Sequence, residues 1–251
     1  MHFSKIILAA LACGSVNAAP VSDMEYVPIE KRDFNLNAFL AMIVETFPVN
    51  VPVNGICSAL GVGETALAVA FGLNINANSK GCADVTVVFA RGTCDPGNVG
   101  ALVGPPFLNA VKKAIGSSKS VTFQGVEYPA SVDGYLRADP KAGVTMAKIV
   151  TDTIAKCPNT QIVLSGYSQG GYAVHNAAKN LDANARSKVK AVVVFGDPMS
   201  KQPVQGIDPS RVHIVCHKGD NICDAGPIIT LQHITYAEDA DSSAAFVVSK
   251  L

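Results

Sequence analysis

Residues 161–172, QIVLSGYSQGGY, constrain the possible fold of this chain more than any other segment. The apolar residues 162–164 predict a buried strand, and a helical pattern begins at residues 171–174. Between them, residues 166–170 form a G-x-S-x-G sequence. In this position the sequence predicts a nucleophile elbow, a tight turn that exposes the Ser168 hydroxyl above the sheet and directs a helix N terminus at the reacting carbonyl. The alternative is an ordinary strand–turn–helix connection in which the serine has no role.

Strands and helices alternate along the rest of the chain. Apolar runs predict strands at Val85–Ala90, 121–128, Val189–Phe195 and 211–216. Periodic patterns predict helices at 105–115, 142–157, 170–179 and 233–251, the last with a polar turn at 238–243, and residues 129–140 are expected to form a loop. The short connections imply an α/β fold, a three-layer α/β/α sandwich around a mostly parallel central sheet. With 251 residues, of which 49% are hydrophobic, the chain can bury one core as a single domain.

Residues 36–73 precede this alternation and predict a helix, a loop and a second helix. Phe39, Ile43 and Phe47 recur every four residues and form an apolar stripe, and the prolines at 48–52 interrupt it. No chemistry can be assigned to this region from its sequence. We interpret residues 33–80 as a helical extension of a catalytic domain at 33–251 that serves for packing or covers part of a site.

The first 32 residues predict two processing signals. Lys5, an apolar run at 6–12 and small residues at 15–19 are typical of a signal peptide, assigned to residues 1–18. Residues 19–32 are polar and end in Lys-Arg, which suggests a propeptide cut by a kexin-type protease. The alternative is a solvated tail that stays attached. We therefore expect a secreted, extracellular protein.

The cysteine count supports secretion. Of seven cysteines, Cys13 leaves with the signal peptide, and six remain. An even number in a secreted chain favours three disulfides over metal ligands. Neither C-x-x-C nor H-E-x-x-H spacing occurs, so no metal site is expected. The six are Cys57, Cys82, Cys94, Cys157, Cys216 and Cys223.

Charge and hydropathy exclude two further classes of partner. The formal net charge is zero and 16% of residues are charged, without a run of lysine or arginine. A nucleic-acid partner is therefore not expected. No segment is long and apolar enough to predict a membrane span. We expect a monomer.

The serine of an elbow needs a base, and in α/β-hydrolase-like chains the order along the sequence is serine, acid, histidine. His175 lies about two turns into the helix after Ser168, which carries it away from the hydroxyl. His213 lies inside a predicted strand. His217 lies close to a strand end and is not excluded by spacing. His233 follows a long loop that could bring it over the serine, and it is the favoured base.

Two aspartates follow strands and are candidates for the acid that orients the base. Asp220 lies between Cys216 and Cys223, and a bridge there would fix the position of the carboxylate. Asp197 precedes a proline and could simply cap or turn the chain, while Asp224 lies outside the cysteine bracket. Asp220 is therefore the favoured acid.

Three sequence blocks together carry a family resemblance. They are ARGT through PGN at 90–98, GYSQG at 166–170, and the Cys-bracketed segment 216–223 followed by His233. Over about residues 80–245 the chain resembles the fungal cutinase family. The resemblance implies a small α/β-hydrolase fold without a large lid, and a secreted serine esterase that hydrolyses cutin polyester and soluble short-chain esters. No metal or organic cofactor is expected.

The resemblance also implies a role for each site residue. Ser168 would be the nucleophile, His233 the general base and acid, and Asp220 its orienting carboxylate. Thr93 and the backbone N–H of Gln169 would form the oxyanion hole.

The resemblance further implies a long-range and a short disulfide, Cys82–Cys157 and Cys216–Cys223. Cys57 and Cys94 are then left as a hypothetical third pair, which would link the extension to the loop that carries Thr93. Cys94 departs from the family pattern, because related sequences more often carry threonine or serine there.

Two alternatives to a cutinase-like esterase stay open. Within hydrolases, the resemblance extends to acetylxylan esterases. From another class, a secreted non-catalytic protein could keep the fold for surface binding, although the filled serine, acid, base and oxyanion positions disfavour it. Residues 103–107 and 228–231 flank the expected site and are candidates for an acyl-chain groove, or for packing.

Overall fold

A five-stranded parallel sheet forms the centre of the structure, a computed structural model that describes residues 34–251. The predicted signal peptide and propeptide lie outside the described residues and stay predictions. The strands are β1 (Val51–Pro52), β2 (Val85–Ala90), β3 (Val121–Gly125), β4 (Gln161–Tyr167), β5 (Val189–Phe195), β6 (Val212–Val215) and β7 (Ile228–Ile229). The helices are α1 (Leu36–Thr46), α2 (Cys57–Phe71), α3 (Gly104–Ile115), α4 (Val132–Leu136), α5 (Lys141–Lys156), α6 (Gly170–Asn180), α7 (Ala183–Lys188), α8 (Leu231–Ile234) and α9 (Ala240–Lys250).

The central sheet has the order β3-β2-β4-β5-β6 and is covered on both faces. Every residue of β2 is buried, as expected for an inner strand of a parallel sheet. Side chains alternate along the strand, so Val87 packs toward α3 and α9 while Val88 packs toward α5 and α6. The predicted three-layer α/β/α sandwich is therefore confirmed.

Two local predictions are wrong. Residues 129–140 are not all loop, because α4 forms there and the Ser131 side chain accepts a hydrogen bond from the Gly134 N–H at 3.1 Å. The predicted polar turn at 238–243 is a short 3₁₀ helix, Tyr236–Asp239, followed directly by α9. Its acidic residues stand at the N terminus of α9, where negative charge is favourable.

The extension ahead of the sheet folds as two helices with the predicted apolar stripe. Phe39, Ile43 and Phe47 of this stripe are buried, and the Asn35 side chain caps α1 by accepting from the Ala38 N–H at 3.0 Å. Strand β1 then pairs with β7, an antiparallel bridge that joins the extension to the chain just before α8. The extension is thereby attached next to the helix that carries the predicted base.

The structure contains the three disulfides named from the sequence. Cys82–Cys157 links the segment before β2 to the end of α5. The other two lie near the predicted site, Cys216–Cys223 around Asp220 and Cys57–Cys94 between α2 and the loop after β2. Within residues 34–251, each helix is too short or too polar to cross a bilayer.

Candidate active site

The turn between β4 and α6 has the backbone of a nucleophile elbow. Ser168 has a φ of 55°, a left-handed conformation that is uncommon for a residue with a side chain. Its N–H donates to the Phe195 carbonyl at 2.9 Å, which anchors the turn to the neighbouring strand. A Cβ at Gly170 would collide with the Ala90 carbonyl, and one at Gly166 would collide with the backbone at Gly170. Both flanking glycines of the motif are therefore required by close packing.

The structure brings the predicted serine, base and acid into one hydrogen-bonded chain. The Ser168 Oγ lies 2.9 Å from Nε2 of His233, and Nδ1 of His233 lies 2.8 Å from Oδ2 of Asp220. Because an ionised carboxylate only accepts, Nδ1 carries a hydrogen and Nε2 is left unprotonated toward the serine. This arrangement can remove the hydroxyl proton of Ser168.

Asp220 is buried and held ionised by three donors. His233 and the Tyr236 hydroxyl, at 2.7 Å, both donate to its Oδ2, and the Ile222 N–H donates to its Oδ1 at 2.9 Å. Burial by itself raises the pKa of Asp220, but the hydrogen bonds from His233, Tyr236 and the Ile222 N–H outweigh it and place the pKa below its usual range. Tyr236 is not among the site residues predicted from the sequence; its position three residues after His233 was the available signal.

Replacing Tyr236 by phenylalanine should lower the free energy of unfolding at pH 7 by about 1.5–3 kcal/mol or more, because the bond to a buried charge is lost and the His217 N–H, which donates to the hydroxyl at 3.0 Å, loses its acceptor. The difference from wild type should shrink as the pH falls below about 4, since Asp220 has a lowered pKa and loses its charge there. Denaturant unfolding at several pH values measures both effects. Tyr135→Phe is the matched control, because the Tyr135 hydroxyl donates to the neutral Gly226 carbonyl at 2.7 Å. An equal, pH-independent loss in both variants would contradict the prediction.

The predicted oxyanion residues are in contact with each other, and Thr93 lines the same cavity as Ser168. The Thr93 hydroxyl donates to the side-chain carbonyl of Gln169 at 3.0 Å, and both residues are buried. Gln169 directly precedes α6, so its backbone N–H belongs to the group at a helix N terminus without an intrahelical acceptor. An anion placed beside Ser168 would meet this end of the helix.

The loop at residues 91–95, called here the oxyanion loop, is fixed by internal contacts. The Arg91 guanidinium donates to three backbone carbonyls, those of Asp95, Val126 and Tyr128. The Cys94 N–H donates to the Ala130 carbonyl at 2.7 Å. These bonds hold Thr93 at its position.

A small cavity beside the serine is partly closed by the extension. Its lining includes Val53 and Leu60 from the extension and Ile229 from β7, and Ser168 is only 3% exposed. The extension therefore covers part of the site, as one interpretation of its sequence suggested. Of the two groove candidates, 228–231 contributes to the cavity. Residues 103–107 do not line it; they lie in the core, where Phe107 packs against two other phenylalanines.

The remaining histidines occupy other positions. His175 is buried, and its Nε2 lies 2.9 Å from Asp197. The histidine rejected as the base and the aspartate rejected as the acid therefore pair with each other. His217, which spacing left open as a base, uses one ring nitrogen on the Gln232 carbonyl and the other on Asp239, 2.6 Å away. His213 stacks on Phe246.

Within residues 34–251, His217 also belongs to the group of side chains closest to a metal-ligand arrangement. Its ring nitrogen and one oxygen each of Glu238 and Asp239 lie within 4.8 Å of one another. Glu238 is exposed, and the contact between His217 and Asp239 is already a direct hydrogen bond. This group has no contact with Ser168, and we assign it no role in the reaction.

The sheet order and the elbow define an α/β-hydrolase, and comparisons with known proteins narrow the class. The Cutinase family model matches residues 81–251. A cutinase of Hypocrea jecorina is 47% identical over 246 residues, which cover 98% of both chains. The chain belongs to the cutinase family of carboxylic-ester hydrolases.

Solved structures agree with this assignment. A Trichoderma reesei cutinase in complex with a C11Y4 phosphonate inhibitor is 49% identical, with a TM-score of 0.74 over 85% of this chain and 97% of that one. The catalytic core domain of an acetyl xylan esterase from Trichoderma reesei is 22% identical, with a TM-score of 0.51 over 68% of this chain and all of that one. The second likeness extends to the fold alone.

Proposed function

We propose that this chain hydrolyses carboxylic esters through an acyl-enzyme on Ser168, with His233 as base and acid and Asp220 as the orienting carboxylate. The observation that carries the proposal is the unbroken hydrogen-bonded chain at the elbow, with steps of 2.9 and 2.8 Å. A serine, a base in the correct tautomer and a buried acid are the parts that acyl transfer requires.

In the first step, the Ser168 Oγ forms a bond to the ester carbonyl carbon while its proton moves to Nε2 of His233. The carbonyl π electrons move to the oxygen, which becomes an oxyanion. The Gln169 N–H and the Thr93 hydroxyl donate to this oxyanion, and Thr93 gives up its bond to the Gln169 side chain to do so. Each such donor contributes about 3–4 kcal/mol to lowering the barrier.

Collapse of the tetrahedral intermediate breaks the bond to the alcohol oxygen, which leaves with the proton from His233. A water molecule then attacks the acyl-serine while His233 takes its proton, and a second collapse releases the acid and restores Ser168. Asp220 stays ionised throughout and stabilises the imidazolium that forms in each half-reaction.

We propose cutin-type polyester and soluble short-chain esters as substrates. The identity of 47–49% to proteins named cutinases, against 22% to an acetyl xylan esterase, supports this choice. The three disulfides support the predicted secretion, since such bonds persist in oxidising compartments.

A substrate panel tests this function. Purified protein should hydrolyse p-nitrophenyl butyrate and release hydroxy fatty acids from cutin faster than it releases acetate from acetylated xylan. The Ser168→Ala protein serves as the blank for each substrate. Acetate release as the dominant activity would overturn the substrate assignment. Inactivity on all three, together with failure to react with a phosphonate serine-hydrolase probe, would favour a non-catalytic binding protein.

A further inference from the structure

Helix α2 of the extension contacts the oxyanion loop at two points. Its first residue, Cys57, is disulfide-bonded to Cys94. About two turns further on, Glu64 is completely buried and reaches the same turn as the buried Asp95 carboxyl: its Oε2 accepts from the Ala101 N–H, and Oδ2 of Asp95 packs against Gly100, the preceding residue. Both contacts reach residues within two positions of Thr93. The family model begins at residue 81, so α2 lies outside the part of the chain that the model matches.

The two carboxyls share one proton. Oε2 of Glu64 accepts from the Ala101 N–H at 2.6 Å, and Oδ2 of Asp95 accepts from the Gly92 N–H at 2.8 Å. Among the described residues, Oε1 of Glu64 meets no N–H or O–H donor. An oxygen in this position is satisfied if it carries a hydrogen and donates to Asp95. Two ionised carboxylates in contact in a buried site would repel strongly, so one of them stays protonated.

The surrounding charges place this proton on Glu64. Burial raises the pKa of both carboxyls, and the negative charge of Asp95 raises that of Glu64 further. The Asp95 carboxyl has compensating neighbours, because the Gly92 N–H that donates to it and the Arg91 guanidinium lower its pKa. Tyr167 and Tyr128 are also affected by the pair: burial and nearby carboxylate charge raise the pKa of both hydroxyls, which keeps them neutral.

Asp95 itself belongs to the catalytic cavity. It lines the same small space as Ser168 and His233. Its backbone carbonyl accepts from Arg91 at 2.8 Å, so a displacement of Asp95 would be transmitted to the rest of the oxyanion loop. The position of Thr93 therefore depends on the contacts that hold the Asp95 side chain.

We propose that Glu64 is a positioning residue whose protonated carboxyl donates a hydrogen bond to Asp95 and so holds the oxyanion loop, with Thr93, in its reactive position. The proposal rests on the function proposed above, since it assigns Thr93 to the oxyanion hole. When Glu64 loses its proton as the pH rises, two negative charges meet beside the loop, and kcat falls. Glu64 does not touch the substrate.

Stability should follow the same titration. The folded-state pKa of Glu64 is raised above the unfolded value, so its contribution to stability is complete below the unfolded pKa, about 4.3, and is lost as the pH rises through the folded pKa. Glutamine at this position keeps a donor for Asp95 and an acceptor for Ala101 and has no proton to lose. The melting temperature of Glu64→Gln should therefore rise relative to that of wild type as the pH increases.

The test compares Glu64→Gln and Glu64→Leu with wild type, and uses Glu45→Gln, an exposed glutamate on α1, as the matched control. Melting temperature and kcat with KM are measured from pH 5 to 10. We expect Glu64→Gln to keep kcat within about twofold at pH 7 and to extend it to higher pH. We expect Glu64→Leu to lose up to about 100-fold in kcat with little change in KM, the loss typical of a displaced oxyanion donor.

Two results would overturn the proposal. One is a Glu64→Gln protein whose kcat and melting temperature have the same pH dependence as wild type. The other is a folded Glu64→Leu protein with wild-type kcat. If Glu64→Leu does not fold, the Glu64→Gln profiles decide alone. The melting-temperature measurement does not depend on catalytic turnover. A failure of the proposed function is therefore distinguishable, because wild type and Ser168→Ala would then be equally inactive.

Discussion

Replacing Ser168 by alanine is expected to lower kcat for p-nitrophenyl butyrate by a factor of roughly 10⁶, as removal of the nucleophile does in other serine hydrolases. The Ser168 Oγ is the atom that faces the unprotonated Nε2 of His233, at 2.9 Å. Without it no acyl-enzyme forms, and only binding and the oxyanion donors are left to accelerate attack by water. The fold should persist, because the backbone bond from residue 168 to the Phe195 carbonyl does not use the hydroxyl.

Ser165 is the matched control for this substitution. It lies in β4, the strand that leads into the elbow, is completely buried, and its Oγ has no hydrogen-bond partner within residues 34–251. Ser165→Ala should keep kcat within about twofold, and a phosphonate probe should label it and wild type but not Ser168→Ala. Full activity in Ser168→Ala would show that the nucleophile is wrongly assigned. An equal loss in both variants would indicate damage to the strand instead.

The elbow could be predicted because all its determinants are local. An apolar run, a glycine on each side of the serine and a helix start stand within residues 161–172, and the strand–turn–helix order needs no distant contact. The alternation of strands and helices extends the same reasoning to the sheet. The secondary structure at the end of the chain was harder to predict, because acidic residues are compatible with both a polar turn and a helix N terminus. The contact of Asp239 with His217, which helps to place that end, joins residues far apart in sequence.

The base and the positioning carboxyl show where sequence reasoning stops. Spacing could not separate His217 from His233, and the structure does so by occupying both ring nitrogens of His217 elsewhere. Glu64 lies in a region to which the sequence assigns no chemistry, because its burial near Asp95 arises only in the folded chain. Its one signal was that it is the sole charged residue of Cys57–Phe71. A single carboxyl in an otherwise uncharged helix is a reason to look for a buried partner.

Asp220→Asn should keep the fold and lower kcat by about 10⁴ at pH 7, because the amide cannot satisfy the three donors that the carboxylate accepts. If the NH₂ group takes the Oδ1 position, it faces the Ile222 N–H, a donor opposite a donor. If it takes the Oδ2 position, it donates to Nδ1 of His233, which forces the hydrogen onto Nε2 and removes the base facing Ser168. Either orientation loses a bond, and the second one disables the reaction.

The control for this prediction is Asp224→Asn, which removes an exposed carboxylate paired with Lys201 at 2.8 Å and should leave kcat within about twofold. Stability provides an independent check. The pKa of Asp220 is lowered by folding, so its carboxylate stabilises the protein above the unfolded pKa of about 3.9 and ceases to do so as the pH falls through the folded pKa. The deficit in melting temperature of Asp220→Asn should therefore be largest near pH 7 and shrink toward pH 3. If Asp220→Asn retained more than a tenth of the wild-type kcat, another group would have to hold the His233 tautomer, and the orienting role of Asp220 would be refuted.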